Sequence, residues 1–187
     1  MPPEIHTVRD RIAWCYANTA RADAALQEGA GEYSRLHHII RSRLFKGLIS
    51  GQMKIQSLFV DERLKMTVPQ ACYYCGETSC LTVDHLIPRI KGGVDNSDNL
   101  IWSCRSCNSS KHGRDMLEWM KGKGIFPPVL LLRRYVKIVT RYCEQYGCMD
   151  MALHEVEEKS LPFNLFLLPI EFPPLTELRL WIYPENA

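Results

Sequence analysis

No run in this sequence approaches the roughly 20 consecutive apolar residues that cross a bilayer, so no membrane partner is expected. Internal repeats and low-complexity tracts are absent as well. The opening residues, Met1-Pro2-Pro3-Glu4, lack the charged and apolar regions of a signal peptide, which makes a cytoplasmic location the expectation. Glycine and proline, at 11 each, are too few for a collagen-like or low-complexity chain. With 46% hydrophobic and 24% charged residues, the 187 positions suit one compact domain, or a small core with helical additions.

Charge is unevenly placed. Residues 1–143 carry 21 Lys/Arg against 13 Asp/Glu, whereas residues 144–187 carry 2 against 8. A basic body suits a polyanion such as nucleic acid, and an acidic tail suits folding over that body. The eight cysteines are unevenly placed too. Cys72 and Cys75 form one C-x-x-C pair, and Cys104 and Cys107 another. Two such knuckles give a zinc ion four thiolates. Cys80 lies between the pairs as a possible spare ligand, while Cys15, Cys143 and Cys148 read as small hydrophobes.

Helical spacing of apolar residues runs through 7–28 and 32–49. Residues 52–68 are ambiguous. Leu81 to Asp84 and Asn99 to Trp102 read as short strands, joined by a loop with Gly92-Gly93 and Asn96. A helix is expected from Arg105 to about Met120, and another from Val129 to Tyr146 after Pro127-Pro128. The second carries Arg133, Arg134, Lys137 and Arg141, which suit a DNA contact or an ordinary solvated face equally well. His37-His38 read as a solvated part of their helix. Residues 161–187 combine repeated prolines with Phe163, Phe166, Phe172 and Trp181, which excludes a long helix and suits an extended segment docked on the body or on a partner.

Residues 70–120 hold the concentrated chemistry. Cys72-x-x-Cys75, Asp84-His85-Leu86-Ile87-Pro88, Gly92-Gly93, Asp98-Asn99-Leu100 and Cys104-x-x-Cys107-Asn108-x-x-Lys111 follow in that order. In that order they resemble the zinc-stapled HNH endonucleases, the ββα-metal group. The resemblance implies an α+β fold: a small ββα-metal core with a four-Cys zinc site, flanked by mostly helical additions. Residues 1–69 are then a helical N-terminal region and 70–122 the nuclease core. Residues 123–187 are a C-terminal helix with a Pro-rich, apolar, acidic tail.

The resemblance further implies a metal-dependent endonuclease that hydrolyses DNA phosphodiesters, by nicking or double-strand cleavage, in bacterial or phage DNA processing or defence. The residue types agree with that chemistry. His85 suits a general base, since an unperturbed imidazole titrates near pH ~6.5. Asp84 and Asn108 offer hard oxygen atoms for a catalytic Mg²⁺ or Mn²⁺, while zinc stays structural on Cys72, Cys75, Cys104 and Cys107. Many family members have His where this chain has Asn108, and the amide favours Mg²⁺ over softer metals. In the family, the position of Asn99 supports the loop that carries the catalytic His. Arg89, Lys91, Lys111 and Arg114 are candidate phosphate contacts, and His112 is a candidate ligand or phosphate contact, though a histidine so placed is more often a plain surface residue. One such core cuts one strand, so a double-strand break calls for a homodimer, through the N-terminal helices or the tail, or for two nicks. The acidic tail would also restrain the site until DNA or a partner displaces it. Two other readings stay open: a subunit active only inside a larger complex, and a non-catalytic zinc-ribbon module.

Overall fold

The computed structural model describes residues 3–157 and 159–182. Helix α1 (Val8–Gln27) opens on a capping box: Thr7 accepts from the Asp10 N–H, and the Asp10 carboxylate accepts from the Thr7 N–H. It is buried along most of its length because α2 (Arg35–Ile49) and α6 (Val129–Gln145) both pack on it. Two of its interior polar residues satisfy themselves locally, Asn18 on the Trp14 carbonyl at 3.0 Å and Thr19 on that of Cys15 at 2.8 Å.

A second capping box starts α2, between Ser34 and His37. The His37 Nδ1 accepts from the Ser34 N–H at 3.0 Å, and its Nε2 faces the Glu28 carboxylate at 3.0 Å. His37 is therefore buried, against expectation, and only His38 lies on the solvated side.

The ambiguous stretch 52–68 contains α3 (Phe59–Thr67). Charge docks it. Asp61 accepts from Arg133 at 3.0 Å and from Lys137, and Glu62 pairs with Arg134. Arg133 also bridges to Asp23 of α1 at 2.6 Å, and Arg141 pairs with Asp98. All four basic residues of α6 are thus ion-paired within the chain, and three of them are largely shielded from solvent. For Arg133, Arg134 and Lys137 the role is internal pairing rather than a solvated face, while Arg141 stays half exposed.

The strands β1 (Leu81–His85) and β2 (Leu100–Cys104) pair antiparallel, Leu81 opposite Cys104 and His85 opposite Leu100. The helix expected from Arg105 to Met120 is two helices, α4 (Arg105–Lys111) and α5 (Met116–Gly122). The break has a physical cause. His112 adopts φ 47° and Gly113 φ 69°, both left-handed, which stops α4. Asp115 then caps α5, accepting from the Leu117 N–H at 2.8 Å.

After α6 comes a short helix α7 (Leu153–Glu157) and then an extended strap, residues 161–182, interrupted by two 3₁₀ turns. Phe163, Leu165, Leu168, Leu175 and Leu178 are buried against the body. Arg11 donates to the Phe166 and Leu168 carbonyls, Trp14 to that of Ile170, and the Val129 N–H to that of Arg179. Much of the apolar side of the strap is thereby occupied by its own chain, with Phe166 left exposed; residues 183–187 lie outside the described residues. One hydrophobic cluster joins α1, the 72–74 segment, α5, α6 and the strap, from Val8 through Tyr73, Met116 and Tyr135 to Leu168. Among the described residues no helix is long and apolar enough to cross a membrane.

Asp61 is nearly fully buried and serves two cations at once. Asp61→Ala would leave Arg133 and Lys137 without their shared partner, and a loss of about 3–5 kcal/mol in unfolding free energy is expected from urea denaturation. A loss under about 1 kcal/mol would mean that the network does not hold α3 to α6.

Candidate active site and metal centre

The knuckle residues Cys72 to Cys75 lie just before β1, and Cys104 and Cys107 lie where β2 turns into α4. Backbone bonds shape both ends: Gly76 N–H to Cys72 O at 2.8 Å, Tyr73 N–H to Trp102 O at 2.9 Å, Arg105 N–H to Cys80 O at 3.1 Å. Cys104 is also the N-cap of α4, its sulfur accepting from the Cys107 N–H. The four Sγ atoms all lie within 4.8 Å of one another. The Cys75 and Cys104 sulfurs are 3.8 Å apart, close to the roughly 3.8 Å edge of a zinc tetrahedron with ~2.3 Å bonds. Burial pushes the Cys75 thiol up to about 11 and raises that of Cys107 too. Four sulfurs this close would share a soft cation, whose charge would offset that of neighbouring thiolates. The residues fit zinc.

Between the strands, residues 86–99 form the loop that follows His85. Asn99 is fully buried and spans it: its Oδ1 accepts from the Ile87 N–H at 2.9 Å, and its Nδ2 donates to the carbonyls of Ile87 and Val94, both at 2.8 Å. Glycine is needed at 93 because a Cβ there would stand 1.9 Å from the Ile87 carbonyl oxygen. Gly92, at φ 95°, closes the 3₁₀ turn of Arg89 to Lys91. The first residue of α5 is tied to the same loop, Met116 N–H to Leu86 O at 3.0 Å.

Helix α4 lies along β1. Asn108 Nδ2 donates to Thr82 Oγ1 at 3.0 Å and to the Val83 carbonyl at 3.3 Å. One turn on, Lys111 donates to Asp84 Oδ1 at 3.1 Å and to the His85 carbonyl at 2.6 Å. Lys111, expected at a phosphate, is instead almost fully buried as the partner of Asp84. Asp84 is buried and accepts twice more, from the Tyr74 hydroxyl on Oδ2 at 2.9 Å and from the His85 N–H on Oδ1. Burial, then the Asp84 charge, raises the Tyr74 phenol well above its ordinary value, so it stays a donor. Asn108 sits against Thr82, two residues before Asp84 on β1, but Asn108 and Asp84 share no hydrogen bond. The Asn108 Oδ1 has no protein partner among the described residues, so it is available to a hard cation, whereas Asp84 is already shared with an ammonium.

His85 emerges on the other side of β1. Its Nε2 faces Asp95 Oδ1 at 2.9 Å, and its Nδ1 has no partner among the described residues. The His85 hydrogen bond, with help from Arg89, holds the exposed Asp95 carboxyl below its usual range. Asp95 was missed by sequence reasoning; its signal is a carboxylate inside the loop that follows the histidine. Arg89 bridges to Asp95 at 3.3 Å and Lys91 to Glu118 at 2.6 Å, both at the surface. Arg114 turns back onto the carbonyls of Ser110 and Lys111. An open groove of about 490 Å³ runs beside α4, lined by Thr82, Ile90, Arg105, Asn108, Ser109 and His112. Arg105, overlooked in the sequence because it sits inside a C-x-x-C pair, is its exposed cation.

Two outcomes are expected. Elemental analysis should find one zinc per chain, and its removal by a strong chelator should cost the 72–107 region its protease resistance; full resistance of the metal-free protein would exclude a structural role. Lys111→Met should leave Asp84 buried with only two neutral donors, the Tyr74 hydroxyl and the His85 N–H, at about 3–5 kcal/mol in unfolding free energy measured by urea denaturation.

The HNH endonuclease family model matches residues 72–114. No curated protein and no solved structure gives a significant match to the chain. The matched segment runs from the first zinc-knuckle cysteine to the turn after α4, and so contains both strands, His85, Asn99 and Asn108. Residues 72–114 thus match the HNH endonuclease family, a family of nucleases, within a longer and mostly helical chain.

Proposed function

We propose that this chain is a metal-dependent endonuclease that hydrolyses phosphodiester bonds of DNA, with His85 as general base. The observation that carries the reading is the setting of His85. Asp95 at Nε2 takes the proton-bearing side of the ring, which leaves Nδ1 as the acceptor for a proton from water. A carboxylate on the far nitrogen also steadies the imidazolium that forms. Asp95 is a positioning residue here, and Asn99 is another, because it fixes the loop on which Asp95 lies.

Asp84 and Asn108 would hold Mg²⁺ or Mn²⁺ through their side-chain oxygens. Such an ion offsets charge on the phosphate and on the departing oxygen. It would share the Asp84 carboxylate with Lys111, whose ammonium keeps that carboxylate aligned. The groove beside α4, with Arg105 and His112, would receive the phosphate backbone. Contacts of this kind position a duplex without reading its sequence.

The test is cleavage of supercoiled plasmid by the purified chain, with Mg²⁺ and without it. Metal-dependent nicking is expected, and His85→Ala should lower the rate by about 10²-fold or more. Asp95→Asn should cost roughly tenfold in kcat with KM little changed, since it alters the base rather than the binding of DNA. Full cleavage by His85→Ala would overturn the mechanism. A folded, zinc-loaded chain that cleaves nothing would favour a subunit activated within a larger complex.

A further inference from the structure

Residues 33–60 contain Arg35, Arg41, Arg43, Lys46 and Lys54 and not one Asp or Glu. Most of them belong to α2. The described ion pairs bind the cations of α6, Lys65, Lys91 and Lys111, yet include none of these five.

Beneath α2 sits a second oddity. Arg21 of α1 is only 8% exposed, and its buried Nε has no hydrogen-bond partner. Its guanidinium lies 3.9 Å from the centre of the Tyr33 ring, and the buried Tyr33 hydroxyl is unpartnered as well. Arg41 comes down from α2 beside it, stacked 4.8 Å over Trp14 and held by one long bond to Asn18. Burial lowers the pKa of Arg21; the neighbouring Tyr33 offsets this in part, and the charge of Arg41 adds to the lowering. His38 is lowered by burial, then by Arg41 and Arg21. No carboxylate figures among the groups acting on any of the three. The nearby Glu28 is engaged with His37.

The shielded cations of α6 and Lys111 each have an acid opposite them. A half-buried guanidinium pair that repels itself is relieved by an anion with several acceptor oxygens, and a phosphodiester has that form. We infer that the α1–α2 face, centred on Arg21 and Arg41, is a second nucleic-acid contact that holds a backbone phosphate outside the HNH segment. Exposed Arg35, Arg43 and Lys46 extend the same charge along α2. That the anion is nucleic acid rests on the nuclease reading; that an anion binds rests on the cluster itself. Such a contact lets one chain grip a duplex at two separated points, so that the small catalytic segment need not supply the affinity alone.

The test is fluorescence anisotropy of a labelled DNA duplex with the zinc-loaded full chain, without added divalent ion, across a salt series. Arg41→Gln should weaken binding about tenfold on two unrelated sequences and reduce the salt slope by about one. The double variant Arg43→Gln/Lys46→Gln, at positions away from the core, should act in the same direction. Unchanged affinity and slope in both folded variants would overturn the inference. Binding of inorganic phosphate at this cluster, with duplex affinity unmoved, would overturn nucleic acid as its ligand. The readout is binding, so the result stands apart from the cleavage assay of His85→Ala: weaker binding in these variants alongside cleavage that ignores His85 would keep this contact and remove the proposed mechanism.

Discussion

One carboxylate joins the parts of the HNH segment. Asp84 receives the Tyr74 hydroxyl from the zinc knuckle, the Lys111 ammonium from α4 and the N–H of its own neighbour His85. A buried charge is tolerated only when it is paired and its lone pairs are occupied, so these donors are fixed relative to one another. The knuckle cannot drift from β1, nor can α4 rotate about its axis, without stranding a charge. The four cysteines reinforce this from the other end of the strands, where β2 passes into α4. The backbone of His85 lies between these two constraints, and its ring meets Asp95 at 2.9 Å.

The same rule sorts the positive charge of the whole chain. The cations of α6 face Asp23, Asp61, Glu62 and Asp98, and they act as internal fasteners. The loop cations Arg89 and Lys91 have acidic neighbours at the surface. Among the described residues, what has no acidic partner includes Arg105 beside the groove and the acid-free run through α2. Net charge alone would have pointed to α6 as the basic face, and pairing shows why it does not serve as one.

Much of the candidate site was legible because its signals are local. C-x-x-C spacing, the Asp84-His85 pair at a strand end and the Gly92-Gly93 turn each depend on a few neighbouring residues. The four sulfurs converge as the spacing implied, and Asn99 hydrogen-bonds across the loop that follows His85. The rest was hidden because it depends on distant partners. Nothing near Lys111 in sequence reveals that Asp84, 27 positions away, will bury it. The pairing of Arg134 with Glu62 spans 72 positions, and the fate of the α6 charges was therefore undecidable from composition. The break after Lys111 is a different case: Gly113 and Asp115 carried the signal, but the apolar periodicity that continues to Met120 outweighed it. His37 was misjudged because its ring doubles as a capping group, a role that shows only once Ser34 opens the helix.

The helical flanks are part of the geometry of the loop around Asn99. Arg134 of α6 donates to the carbonyls of Ser97 and Asp98, and Lys65 of α3 donates to those of Ser97 and Leu100. These carbonyls bracket Asn99, whose side chain in turn holds Ile87 and Val94. Glu62 binds both Arg134 and Lys65, so a single carboxylate from the N-terminal region orients the two cations that grip the loop. A ββα segment this small has little core with which to hold a loop in one geometry. The chain solves this by docking two helices from outside the segment onto the backbone around Asn99. The loop is thus positioned by residues that the family match does not include, and the surrounding body is as much a part of the site's precision as the motif itself.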